Sequence, residues 1–196
     1  MEDSSTNNSR PKVRKSLFIA ISVIAILCVI IAVFLSSAFL STPSSRDSLL
    51  FKGAYAQYQG STSVMGIDFS FSATQEVLDF NSTHAYISTS FSMGSDLGES
   101  ANEENSTWVP LSQFGLLSAF SDSNITSSYD ATLNFGSLGT RECTIYEVAT
   151  DGPTMTVYVD KVTGWPLKMK ATMTGEDNIS LSLDINLVET NIPELK

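Results

Sequence analysis

The sequence is short of the residues that most often carry chemistry. In 196 residues it has one histidine, two cysteines and two tryptophans, and its 11 Lys and Arg face 21 Asp and Glu. A zinc site needs three or four His, Cys or carboxylate ligands in a fixed arrangement, and His84 and Cys143 stand alone in the C-terminal part. No metal is expected. The second cysteine, Cys28, lies in an apolar run near the start, so the C-terminal part has no partner for an internal disulfide. Scarce Lys and Arg leave nothing to replace phosphate counterions, so no nucleic-acid partner is expected. The serines form no Gly-x-Ser-x-Gly elbow, and "GSLGT", Gly136 to Thr140, reads as a turn and not as a phosphate cradle. The sequence offers no catalytic residue and calls for no cofactor; the expectation is a protein that is not an enzyme.

One long apolar run is present. Leu17 to Leu35 carries no charge and only Ser22 as a polar interruption; as a helix it rises about 28 Å, the thickness of a bilayer's hydrocarbon layer. A cleavable signal usually has a shorter apolar region behind a short basic segment, whereas here sixteen polar residues come first, so retention is favoured. Arg10, Lys12, Arg14 and Lys15 sit on one side of the run, and the first cation on the other side is Arg46, next to Asp47. This bias predicts a cytoplasmic N-terminus and an outward C-terminal part in the cell membrane. The expected organisation is a tail over 1–16, a single transmembrane helix over 17–39, a Ser- and Pro-containing linker over 40–48, and an extracytoplasmic domain over 49–196. Tail and remainder carry +2 and −12 of the net charge of −10. The outward domain would be repelled by an anionic membrane surface.

Asn-x-Ser/Thr triplets at Asn81, Asn105, Asn124 and Asn178 are glycosylation candidates on that outer side. Cys143, at alternate spacing with Ile145, reads as a buried, inert thiol. His84 reads as a surface residue at a strand start, and Asp96, Glu99, Glu103 and Glu104 as part of a solvated acidic crossover, Gly94 to Trp108.

Periodicity in the domain is mainly two. Ile67, Phe69, Phe71 and Ala73 alternate with Asp68, Ser70, Ser72 and Thr74 in a stretch from Val64 to Val77, and Ile179, Leu181, Leu183, Ile185 and Leu187 alternate in the same way. Shorter strands fit the stretches starting at Ala54, His84, Tyr129 and Cys143, and Pro110 to Phe120 has helical spacing. In "MTVYVDKVTGWPLKMKATMTG" two strands flank a turn, with Asp160 accepting from the turn's amides and Gly164 supplying a positive φ.

The hairpin "YVDKVTGWPLKM", with the flanking residues Arg141 to Lys170 and the final strand, resembles the outer-membrane lipoprotein carrier (LolA/LppX-like) superfamily, as an archaeal-type, membrane-anchored relative. The resemblance implies a curved antiparallel sheet or half-barrel with one or two short helices over an apolar concave face that holds acyl chains. The fold expected is therefore mainly β, with one N-terminal transmembrane helix. Candidate ligand-facing residues are Ile67, Phe69, Phe71, Leu167, Met169, Met173, Leu181 and Leu183; simple core packing is the competing reading of the same side chains. The functional expectation is a tethered binding module for a lipid or other apolar ligand, and the alternative is a structural or adhesive surface domain that contacts protein or glycan partners.

Overall fold

A computed structural model describes residues 51–64, 67–96, 98, 100–110, 125–149, 154–174 and 180–196. The expected tail, transmembrane helix and linker lie outside these residues, as does the helical stretch expected over 110–120 except for Pro110, which ends a strand. Among the described residues no helix is long and apolar enough to cross a membrane.

Nine strands form one antiparallel sheet: β1 (Tyr55–Val64), β2 (Ile67–Phe80), β3 (His84–Ser95), β4 (Ser100–Pro110), β5 (Ile125–Asn134), β6 (Thr140–Ala149), β7 (Thr154–Asp160), β8 (Pro166–Thr174) and β9 (Ser180–Thr190). Their spatial order is β4-β3-β2-β1-β9-β8-β7-β6-β5. The sheet is not closed, and its edges are β4 and β5. Two meanders meet where β1 pairs with β9, so the earliest and latest strands are neighbours in mid-sheet. Helix is confined, among the described residues, to two single 3-10 turns, Gly136–Leu138 and Pro193–Leu195.

Cross-strand register gives the two faces their composition. One row on the first face runs Ala101, Met93, Phe71, Gly60, Ile185, Met169, Val157, Tyr146 and Ser128 through all nine strands. At its centre Phe71, Ile185, Met169 and Val157 are buried, each contributing about 1.5–3 kcal/mol by removal from water. Gly60 is required there: a Cβ would strike the Phe71 ring and lie 2.5 Å from the Asp184 carbonyl oxygen, so the ring rests on bare backbone. The adjacent row on the second face runs Asn102, Ser92, Ser72, Gln59, Asn186, Lys168, Tyr158, Ile145 and Tyr129, and is polar until its last three positions.

Two expectations need correction. The acidic crossover is a hairpin: β4 starts at Ser100 and pairs with β3 throughout, carrying Glu103 and Glu104 in the strand. Its residues are exposed on both faces up to Trp108, so no apolar alternation marks it in sequence. Backbone pairing and the stacking of Trp108 on Tyr86, centroids 5.2 Å apart, hold it in place, and its charges discourage further strands from adding to this edge. The stretch from Val64 to Val77 is not one strand: Val64 closes β1 and Ile67 opens β2 opposite it. Elsewhere the strands extend the expected ones, β5 starting at Ile125 and not at Tyr129.

The β7–β8 turn forms as its residues require. Asp160 Oδ1 accepts from the amides of Val162 (3.1 Å) and Thr163 (2.8 Å) and from the Thr163 hydroxyl (2.8 Å), and Gly164 has φ 70°. Below the turn, Arg141 donates to the carbonyls of Leu138 (3.0 Å), Glu194 (2.8 Å) and Lys196 (3.1 Å), clamping the C-terminal segment against β6.

Candidate functional site

Strands β2, β8 and β9 bring the apolar candidates to one face. Phe69, Phe71, Leu167, Met169, Leu181 and Leu183 are all at most 8% exposed, and Ile67 is partly exposed at the start of β2. Met173 occupies the register position opposite Leu181. Period-two spacing places each set on one side of its strand, and pairing through β1 aligns the sets: Phe69 opposite Thr62 and Thr62 opposite Leu183.

Sequence reasoning missed three polar groups on this same face. Thr62 is 5% exposed and Gln75 1%, yet Thr62 Oγ1 and Gln75 Oε1, together with the buried Ser95 Oγ, have no hydrogen-bond partner. Register puts Ser95 beside Phe69 and Gln75 beside Ala56, so all three share the apolar side of β1 to β3. Buried oxygens without partners are rare in native proteins and costly, at about 1–3 kcal/mol each. The signal for them was present, since Thr62, Gln75 and Ser95 all fall at in-facing spacing in otherwise apolar registers.

At the far end of β1, Trp165 Nε1–H donates to the Tyr58 hydroxyl (2.9 Å), which donates to the Pro166 carbonyl (3.1 Å). Burial raises the Tyr58 phenol far above its ordinary pKa, against the opposing bond from Trp165. This chain pins the β7–β8 hairpin to mid-sheet.

The remaining candidates do not converge. Cys143 is fully buried, and that burial, with the Asp160 charge adding to it and the Arg141 charge opposing, pushes its thiol from 9.0 up to about 11, so it stays protonated and unreactive at neutral pH. His84 opens β3, its ring Nδ1 2.9 Å from the Thr83 hydroxyl, and five strands of the sheet order separate β3 from the β6 strand of Cys143. Among the described residues no group of three His, Cys, Asp or Glu is placed to hold a metal ion. Asn81 lies exposed in the β2–β3 turn, its Oδ1 accepting from the amides of Thr83 and His84. Asn105 is exposed within β4, while Asn124 and Asn178 fall outside the described residues, as does Glu99.

Two cavities open on the second face. One of about 650 Å³ is lined by Ser61, Ser63, Asp68, Ser70, Ser182 and Asp184, and also by Asp96 and the first-face residues Thr62, Phe69 and Ser95. The other, about 520 Å³, lies between the β5–β6 turn and the floor formed by Tyr158, Lys168, Lys170 and Asn186.

No protein-family model matches this sequence, and no curated protein matches it. Solved structures similar to it include the S-type phycobiliprotein lyase CPES from Guillardia theta, with 9% identity over 70% of this chain and 87% of that chain and a TM-score of 0.31. A putative outer membrane lipoprotein-sorting protein domain from Vibrio parahaemolyticus gives 10% identity over 72% and 86% of the two chains, TM-score 0.28. The hypothetical protein CT021 from Chlamydia trachomatis gives 14% identity over 72% and 88%, TM-score 0.30. At these identities and scores no family, ligand or activity is taken from them.

Proposed function

We propose that this chain is a single-pass, membrane-anchored module that binds a lipid or similar apolar ligand outside the cytoplasm, on the first face of its sheet. The observation that carries the reading is the pair of unpartnered oxygens of Thr62 and Ser95, both opposite Phe69 and near the buried Phe71 and Leu183; the third, Gln75 Oε1, lies about 20 Å away along β2. A mostly apolar surface with a few convergent polar atoms is the usual composition of a small-molecule site. An amphiphile laid along the strands would place its chain over Phe71, Met169 and Leu183 and its polar group toward Thr62 and Ser95. Methionines suit chains of variable length because the thioether arm adapts its rotamers. The anchor rests on the uncharged run from Leu17 to Leu35 and the cations before it. Binding without chemistry is favoured by the buried thiol of Cys143 and its distance along the sheet from His84.

The test is native purification of residues 46–196, organic extraction and mass spectrometry of the extract, with titration of a fluorescent fatty acid. A co-purifying amphiphile, or saturable fatty-acid binding weakened in Thr62→Val and Ser95→Ala, is expected. No extracted molecule and no fatty-acid binding would refute the ligand, and protease treatment of intact cells that leaves the C-terminal part untouched would refute the orientation.

A further inference from the structure

The second face carries a feature that the apolar-ligand reading does not use. In the β1–β9 ladder the register slips between Gln57 and Tyr58, which leaves Val188 as an extra residue in β9. A bulge frees a backbone carbonyl from the ladder. Ser137 takes advantage of it: its hydroxyl donates to the Val188 carbonyl (2.9 Å), tying the β5–β6 turn down onto β9 and roofing the 520 Å³ cavity. Beneath this roof Tyr158 and Phe135 supply ring surface, and Lys168, Lys170 and Asn186 supply donors.

Asp184 links the linings of the two cavities. It lines the larger one, and its carboxylate accepts from Asn186 Nδ2 (2.7 Å) and pairs with Lys168 Nζ (3.0 Å), both floor residues of the smaller one. Ser182, Asp184 and Asn186 alternate on one side of β9 and span about 14 Å at the usual rise per residue. Lys168 and Lys170 both pair with Asp184 (3.0 and 4.0 Å), so the charge on the floor of the smaller cavity is largely answered within the protein, which disfavours a simple ion there. Planar amide and carboxylate groups, hydroxyls and a few aromatic rings favour a ligand with many hydroxyls and flat C–H faces.

We propose that this second-face groove, from Phe135 and Tyr158 to Asp184 and Ser182, binds an uncharged oligosaccharide. The sugar rings stack on Tyr158 under the Ser137 roof, and their hydroxyl pairs bond to Asn186, Asp184 and Lys168. The residues that would stack on and bond to the sugar, Tyr158, Lys168 and Asn186, belong to the second face and not to the apolar-ligand face; the two sites come together only at the larger cavity, whose lining includes Thr62, Phe69 and Ser95.

The full chain is prepared in a zwitterionic detergent without a sugar headgroup, and hexasaccharides of β-1,4-glucose, α-1,4-glucose and β-1,4-N-acetylglucosamine are titrated by calorimetry. At least one is expected to bind saturably, with affinity reduced about tenfold or more, about 1.4 kcal/mol, in Tyr158→Ala and Asn186→Ala. Lys170→Ala, at a half-exposed side chain, guards against loss through misfolding and should weaken binding with circular dichroism unchanged, whereas Val162→Ala in the exposed β7–β8 turn should not. Absence of binding by all three saccharides, equal binding by the groove variants, or displacement of the saccharide by low-millimolar sulfate would overturn the proposal.

Discussion

Replacing Arg141 with alanine removes a guanidinium that makes three backbone hydrogen bonds and faces Asp160 Oδ2 at 3.9 Å. Hydrogen bonds from a charged donor contribute about 1.5–3 kcal/mol each, but the carbonyls of Glu194 and Lys196 sit near the terminus and regain water, so about half of that total survives. Asp160 is only 1% exposed, and an orphaned buried charge costs about 3–5 kcal/mol. The pair is at the long limit for contact and Arg141 is 15% exposed, so the lower part of that range applies. Together these give a loss of about 5–7 kcal/mol, comparable to the whole stability of a domain at the lower end of the 5–15 kcal/mol range. Urea unfolding of residues 46–196, followed by far-UV circular dichroism, measures it. Asp160→Asn keeps the acceptor for the turn amides and removes the charge, so Arg141→Ala with Asp160→Asn should be less destabilised than the two single variants summed, by about 1 kcal/mol or more. If Arg141→Ala costs less than about 1 kcal/mol, or the double variant is additive within about 0.5 kcal/mol, the clamp has been misread.

Gly60→Ala is expected to destabilise by about 1–3 kcal/mol, because overpacking against the Phe71 ring and the Asp184 carbonyl outweighs the gain of about 0.4–1 kcal/mol from a less flexible unfolded chain; a raised urea midpoint would contradict the packing described. Stability should also fall in alkali. The folded pKa of Cys143, about 11, lies above its unfolded value of 9.0, so its contribution is complete below pH 9 and declines as pH rises toward 11. Tyr58 adds a second decline only above pH 10, its own unfolded value. Cys143→Ala should therefore remove the slope between pH 9 and 10 and leave the steeper one beyond it, and unchanged slopes in both ranges would show that the thiol is not held in the buried environment described.

Residues with one apolar face were the legible ones. In β2 and β9 the alternation of Phe69 and Phe71, or Leu183 and Ile185, follows directly from burial of a single side, and the β7–β8 turn carries its own chemistry in Asp160 and Gly164. Strand β4 escaped because its stability comes from pairing with β3 and one aromatic stack, neither of which leaves a periodic trace. The second-face groove escaped for a different reason. Lys168, Asn186 and Tyr158 become neighbours only through the register of three strands, and the Ser137 roof exists only because a slip elsewhere frees the Val188 carbonyl. Thr62 and Gln75 were visible as polar interruptions of apolar registers, but their lack of partners is a property of the folded neighbours and not of the local string.

The seam between β1 and β9 sets an order of events during synthesis. Gly60 cannot meet Ile185 until all the strands from β2 to β8 have been made. Each meander can zip from local hairpins beforehand, yet until the seam forms both halves present a raw inner margin, β1 on one and β9 on the other. Such late, long-range pairing slows folding and lengthens the time during which these margins can recruit a wrong neighbour.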